Sequence, residues 1–185
     1  MPTPFITPEE LKRYPLPVTD KQWAKITPEH LESVTAYATQ YIEDYLDRNI
    51  FTQQYTQRIR GNNRGRLVLE QYPVTSIVSL TSTDLSGYVA SKSTSDILIN
   101  AGAGIIEWID QTQNSFYKNL IWTVTYVAGY TTVPGPIKHA TALQAVEMLQ
   151  PLFRGGIDFQ EVELITELDE AIVDMLERYK RKRIG

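Results

Sequence analysis

Apolar and polar residues alternate most cleanly near residue 125. Trp122, Val124, Tyr126 and Ala128 interleave with Ile121, Thr123, Thr125 and Val127, the period-two signature of a strand with one buried face. Gly129 interrupts it. Thr131 to Gly135 reads as a short loop, and Pro136 suits a first helical residue, where a missing N–H loses nothing. Ala142, Ala145, Val146, Leu149, Leu152 and Phe153 then recur at helical spacing, with Lys138, Thr141, Gln144 and Glu147 on another stripe, predicting an amphipathic helix packed along one broad face. Pro151 should stop or kink it, because its ring clashes with the preceding turn.

The same reading places the other elements. Met1 to Ile26 is rich in proline and reads as a partly ordered arm with a helix start at Thr7-Pro8-Glu9-Glu10. Thr27-Pro28-Glu29 caps a long helix carrying Leu31, Val34, Ala38, Tyr41, Ile42 and Tyr45, ending near Arg48-Asn49. Phe51 to Asp110 is mostly β. Gly61 to Gly65 is a turn, and Leu67–Leu69 and Val74–Leu80 are strands joined at Tyr72-Pro73, with a kink or sheet edge at the proline. Thr81 to Asp96, rich in Ser and Thr, reads as an exposed loop with little fixed structure. Ile97–Ile99 and Ile105–Ile109 form a hairpin. After Arg154-Gly155-Gly156 comes an acidic approach to a last helix, with Leu168, Ile172, Met175, Leu176 and Tyr179 as its stripe and Arg178-Tyr-Lys-Arg-Lys-Arg183 as its basic end, a gradient that suits the helix dipole. The predicted fold class is α+β: a small helical body with an inserted antiparallel β domain. Its parts are an arm (1–26), the first part of the body (27–50), the β insertion (51–130) and the second part of the body (131–185).

Composition narrows the function. The chain of 185 residues is long enough to bury a core. Without cysteine it can form no disulfide or thiolate metal site. No apolar run reaches the length of a membrane span, and the first residues lack a signal peptide's pattern. A net charge of −4 argues against nucleic-acid gripping as the main task. The two histidines, His30 and His139, have no spaced partner. Neither the Gly61–Gly65 cluster nor Gly102-Ala-Gly104 sits in a phosphate-loop context. No nucleophile elbow is visible. No catalytic residue, metal or cofactor is therefore expected.

Two stretches carry a family resemblance. Val124-Thr-Tyr-Val-Ala-Gly-Tyr with Val133-Pro-Gly-Pro-Ile-Lys-His-Ala, and Leu69-Glu-Gln-Tyr-Pro-Val-Thr-Ser-Ile before it, resemble the signatures of tailed-phage head–tail connector (adaptor) proteins. The matching positions are Tyr72, Pro73, Val74, Tyr126, Gly129, Tyr130, Pro134, Pro136, Ile137 and Ala140, and the resemblance extends over roughly Thr27 to Arg181. It implies a structural virion protein, made in the bacterial cytoplasm, which forms a homo-oligomeric ring under the portal protein and extends the DNA channel. Its implied partners are the portal, other copies of itself, a downstream neck or tail protein and, transiently, the genomic DNA, with no membrane. The resemblance also implies a C-terminal portal-docking segment, here Ile172, Met175, Leu176, Arg178, Tyr179, Lys180, Arg181, Lys182 and Arg183.

Other readings are a head-closure (stopper) protein; a β-sandwich-like carbohydrate- or peptide-binding module presenting Trp108, Phe116, Tyr117 and Trp122; a nucleic-acid binder using the Arg178–Arg183 tail; and, most distantly, a small hydrolase.

Overall fold

A computed structural model describes residues 3–15, 18–110, 114–154 and 168–180, and its architecture is α+β. The chain divides into two compact units: Met1–Arg48 with Val133–Gly185, and Asn49–Thr132.

In the first unit, helices α1 (Pro8–Arg13), α2 (Asp20–Trp23) and α3 (Pro28–Leu46) begin in the same way. Thr7, Thr19 and Thr27 each accept a backbone N–H three residues on, and Glu10, Gln22 and His30 bond back to the cap. These reciprocal bonds satisfy N–H groups that a helix start otherwise leaves unpaired. His30 stands where a Glu or Gln is usual, so its ring serves the cap. Asp47, at a left-handed φ of 52°, closes α3.

The residues read as a partly ordered arm are packed into this unit. Phe5, Ile6 and Leu11 are buried, and Ile6 and Leu11 share a core with Leu31, Val34, Ala38, Ala142, Ala145 and Leu149. The Phe5 N–H donates to Thr39 Oγ1 at 2.9 Å, Lys138 Nζ meets Glu10 Oε1 at 2.8 Å, and Tyr14 stacks on His139. Prolines obscured this in the sequence by breaking the helical period into pieces too short to recognise.

Helix α4 (Gly135–Arg154) starts one residue before Pro136 and runs through Pro151. Pro151 falls in the last turn, and the helix ends three residues beyond it. Phe153 holds that turn in the core, edge-on to Trp23, and its carbonyl accepts from Lys25 Nζ at 3.1 Å. Helix α5 (Glu170–Leu176) is capped by Asp169, and a 3₁₀ turn, Glu177–Tyr179, follows it. The basic end is thus not one continuous helix: Lys180 is extended, and Arg181–Arg183 lie outside the described residues.

In the second unit, strands β1 (Gln53–Arg60), β2 (Arg66–Val68), β3 (Val74–Thr83), β4 (Val89–Lys92), β5 (Ile97–Asn100), β6 (Ile105–Trp108) and β7 (Ile121–Ala128) make two antiparallel sheets. Their strand orders are β1-β7-β3-β4 and β2-β6-β5. Both contribute to one core, from Leu67, Ile106 and Trp108 on one sheet to Trp122, Val124 and Tyr126 on the other. Strand β7 alternates half-buried and buried along its whole length, as its sequence predicts.

The stretch read as a loop, Thr81–Asp96, is instead largely ordered. Strand β3 extends to Thr83 and pairs with β4 as a hairpin. Asp84 builds the tip by accepting the N–H and hydroxyl of Ser86 and the N–H of Tyr88. Such a side-chain-bonded Asx turn needs no apolar pattern. These bonds, the Ser86 hydroxyl foremost, hold the Asp84 carboxyl below its usual range.

Candidate functional site

The two signature stretches meet in space. The Gly129 N–H donates to the Pro73 carbonyl at 2.9 Å, Val74 pairs with Ala128, and Ile77 pairs with Tyr126. The Tyr126 hydroxyl accepts the Gln71 N–H at 3.2 Å and donates to Gln57 Oε1 at 3.1 Å. Pro73 lies just before β3, and the Tyr72–Pro73 bond is cis. Tyr130 donates its N–H to Ile50 O at 2.8 Å and accepts the Thr52 N–H at 3.2 Å, which ties the entry of this unit to its exit. Gly129 makes that junction possible. Its φ is +115°, and a Cβ there would lie 2.5 Å from Phe51 O. On the helical side, the Pro134 carbonyl accepts the Lys138 N–H, and Ile137 and Ala140 are buried. The signature residues are therefore architectural: they hold the strand crossing and the start of α4.

The expected docking residues divide into two sets. Ile172 and Leu176 are buried in the first unit, and Met175 is half-buried. Three contacts fasten the following turn to the end of α3. Tyr45 hydroxyl meets Glu177 Oε1 at 3.3 Å, Arg48 Nη1 donates to Tyr179 O at 3.4 Å, and Lys180 Nζ lies 4.2 Å from the centre of the Tyr45 ring. Arg178 is exposed, while Tyr179 and Lys180 are half-buried. The apolar stripe thus anchors the segment to its own chain, and of Arg178 and Lys180 only Arg178 is exposed. Neither anchor has a local signal: Tyr45 reads as one of the helical stripe and Arg48 as the end of the run.

Beneath α5, the Glu147 carboxyl is pushed above its ordinary range, first by burial and then by the Asp169 carboxylate. Across the unit, Glu10 is held below its range, first by its hydrogen bond from Lys138 and then by that from the Thr7 N–H. Gln144 is fully buried, and neither its amide oxygen nor its nitrogen has a hydrogen-bond partner among the described residues.

The aromatic binding surface does not form. Trp108, Phe116 and Trp122 are buried and pack on one another at ring-centre distances of 4.9–6.1 Å, leaving only Tyr117 exposed. Their large apolar area drives them into the space between the sheets, so these residues do not form an exposed aromatic platform. Among the described residues, no group of three or more His, Asp or Glu is placed to hold a metal, and no helix is long and apolar enough to cross a membrane.

In the helical unit and in the two-sheet β unit alike, the signature residues hold their own unit's backbone. Residues 5–147 match the family model described as head completion protein, and the chain belongs to that family. This agrees with the connector resemblance but shifts its bounds. The match takes in the N-terminal helices and stops before α5, so it does not carry the C-terminal docking residues. A chain in the virion of a native gene transfer agent particle shares the fold at a TM-score of 0.63 and 14% identity, over 100% of this chain and 95% of that one. A chain in the neck of an empty gene transfer agent particle, computed with C6 symmetry, gives 0.55 and 14%, over 84% and 81%. One in the neck of the native particle, computed with C12 symmetry, gives 0.56 and 13%, over 89% and 88%. No curated protein matches the chain.

Proposed function

We propose that this chain is the adaptor-type subunit of a phage-like neck, a structural, non-catalytic protein that needs no cofactor. Copies close a ring on the portal, extend the DNA channel, and offer the far face to the next neck or tail protein. The observation that carries this reading is the family match, which runs through both units rather than one. The kinship in fold with neck and virion chains of gene transfer agent particles supports it.

The mechanism is geometric. Heterologous contacts between identical subunits close a ring only when the rotation per subunit is right, and buried junctions such as Pro73–Gly129 keep each subunit's shape fixed. In the docking step, Ile172 and Leu176 hold the C-terminal segment to its own body. Arg178 and Lys180, with Arg181, Lys182 and Arg183 beyond them, meet an acidic portal surface, with Met175 and Tyr179 at the margin of the contact. Long-range attraction between opposite charges speeds and orients such docking.

Sedimentation of the protein alone and with its portal tests the proposal. It predicts a saturable complex with the portal itself. A protein that ignores the portal and binds only a portal already carrying another neck ring would be a stopper, and the adaptor reading would fail.

A further inference from the structure

The outer face of the larger sheet has a composition unlike the rest of the chain. Strand register places Arg58, Thr123, Thr81 and Ser91 in one row across β1, β7, β3 and β4. The neighbouring row holds Thr56, Thr125 and Ser79, and the Thr56 and Thr125 hydroxyls lie 3.1 Å apart, which confirms their shared side. Arg60 stands outward in the third row. In a chain with 22 acidic residues, none occupies an outward position on these four strands. Asp84, at the hairpin tip, is turned into its own loop.

More positive charge gathers at the Arg60 end. The Lys118 carbonyl accepts from Arg60 Nε at 3.2 Å, the Lys118 N–H donates to Asn63 Oδ1 at 2.8 Å, and the Arg64 carbonyl accepts the Phe116 N–H at 2.8 Å. Arg58, Arg60, Arg64 and Lys118 are all exposed, and among the described residues no carboxylate pairs with any of them. Arg66, by contrast, lies opposite Glu107 on the other sheet.

We infer that this face is a binding surface for the phosphate backbone of duplex DNA, without sequence preference. Guanidinium groups fit phosphate oxygens bidentately, and Ser and Thr hydroxyls are common phosphate donors. A face free of carboxylates does not repel the polyanion, although the chain as a whole is acidic. An acidic protein partner fits less well, because protein interfaces centre on buried aromatic or aliphatic anchors; the middle row here offers an arginine and hydroxyls, and the exposed apolar residues of this sheet are Val78 at the β3 irregularity and Leu85, Tyr88 and Val89 at the hairpin tip. Four cations give a modest, strongly salt-dependent attraction, compatible with DNA that must move past. The inference goes beyond the neck reading and does not need a ring.

The test is fluorescence anisotropy of a labelled 30-base-pair duplex with the intact protein, repeated from about 50 to 200 mM salt. The expected result is binding that weakens steeply with salt. A variant carrying Arg58→Gln, Arg60→Gln and Lys118→Gln should bind at least about ten-fold more weakly at low salt, with the salt slope reduced by about 2 to 3. The variant Arg58→Lys with Arg60→Lys should keep the slope, and circular dichroism should show both variants folded. Three results would overturn the inference: no binding by the intact chain at low salt; binding that survives the triple substitution but is lost in a chain ending at Glu177; or poly-glutamate competing as well as DNA, which would mark an acidic protein surface instead.

Discussion

The N–H of Gly129 reaches the carbonyl of Pro73 across 2.9 Å, joining two sequence motifs more than fifty residues apart into one knot. Gly129→Val should therefore damage folding, through two separable causes. The φ of +115° is one that side-chain-bearing residues rarely adopt, and a Cβ would press on Phe51 O at 2.5 Å. Strain of the first kind amounts to roughly 1–3 kcal/mol, and the clash adds to it. Gly87, at a φ of +88° with nothing near its missing Cβ, isolates the first cause. Thermal melts should show Gly129→Val well below Gly87→Ala, and Gly87→Ala a little below wild type. Equal midpoints for the two variants would mean that the Phe51 contact is not rigid.

A second prediction concerns pH. A carboxyl whose folded pKa is raised favours folding when protonated and opposes it once ionised. Glu147 is such a group, so its contribution is fully present below its unfolded value of about 4.5 and is lost as pH rises through its higher folded value. Glu147→Gln should be more stable than wild type at pH 7, by less than about 1 kcal/mol because the site is partly solvated. The difference should shrink toward pH 4. Glu10, held low by Lys138, has the opposite sign. Its contribution is present above its ordinary range and lost as pH falls through the lowered value, so Glu10→Gln should be slightly less stable than wild type at pH 7. Chemical denaturation at pH 4 and 7 reads both differences.

Gln144 gives a third. Both polar atoms of its amide are buried without a partner among the described residues, and an unsatisfied buried amide is destabilising by about 1–3 kcal/mol. Gln144→Leu has similar volume and should match or exceed wild-type stability by up to about 1 kcal/mol in urea unfolding. A loss larger than about 2 kcal/mol would show that the amide is satisfied in solution, most simply by a buried water.

The C-terminal segment supplies the fourth. Leu176 is fully buried, and Leu176→Ala should destabilise by about 2–5 kcal/mol. A chain ending at Glu177 loses, among the described residues, contacts that include those of Tyr179 and Lys180 with Arg48 and Tyr45, and its melting midpoint should fall by no more than a few degrees. The truncated chain should nevertheless lose portal binding. If it docks normally, the basic end is not the docking element.

How much of this was legible in the sequence follows from which forces leave a pattern. Strand β7 and helix α4 could be read because one face of each is buried along its length, which imposes a period on the residues. The β3–β4 hairpin could not, since hydroxyl residues stabilise it by strand pairing and Asp84 bonds rather than by apolar alternation. The N-terminal packing was hidden for a related reason: Ile6 and Leu11 belong to a core assembled from distant helices, and prolines interrupt any local period. The connector motifs were visible as residue types, but their meeting at Pro73 and Gly129 is a property of sheet register. The division of the docking stripe, with Ile172 and Leu176 turned inward, depends on α3 and α4 and has no local signal.

The central claim is that this chain joins the portal as a ring-forming adaptor. Cryo-electron microscopy of the purified portal mixed with the full-length protein tests it most directly. The account predicts one closed ring of this chain seated on the portal, coaxial with its channel, with Arg178 and the residues after it against acidic portal side chains. A portal that stays bare at saturating protein, or density for this chain only beneath a different neck protein, would contradict it.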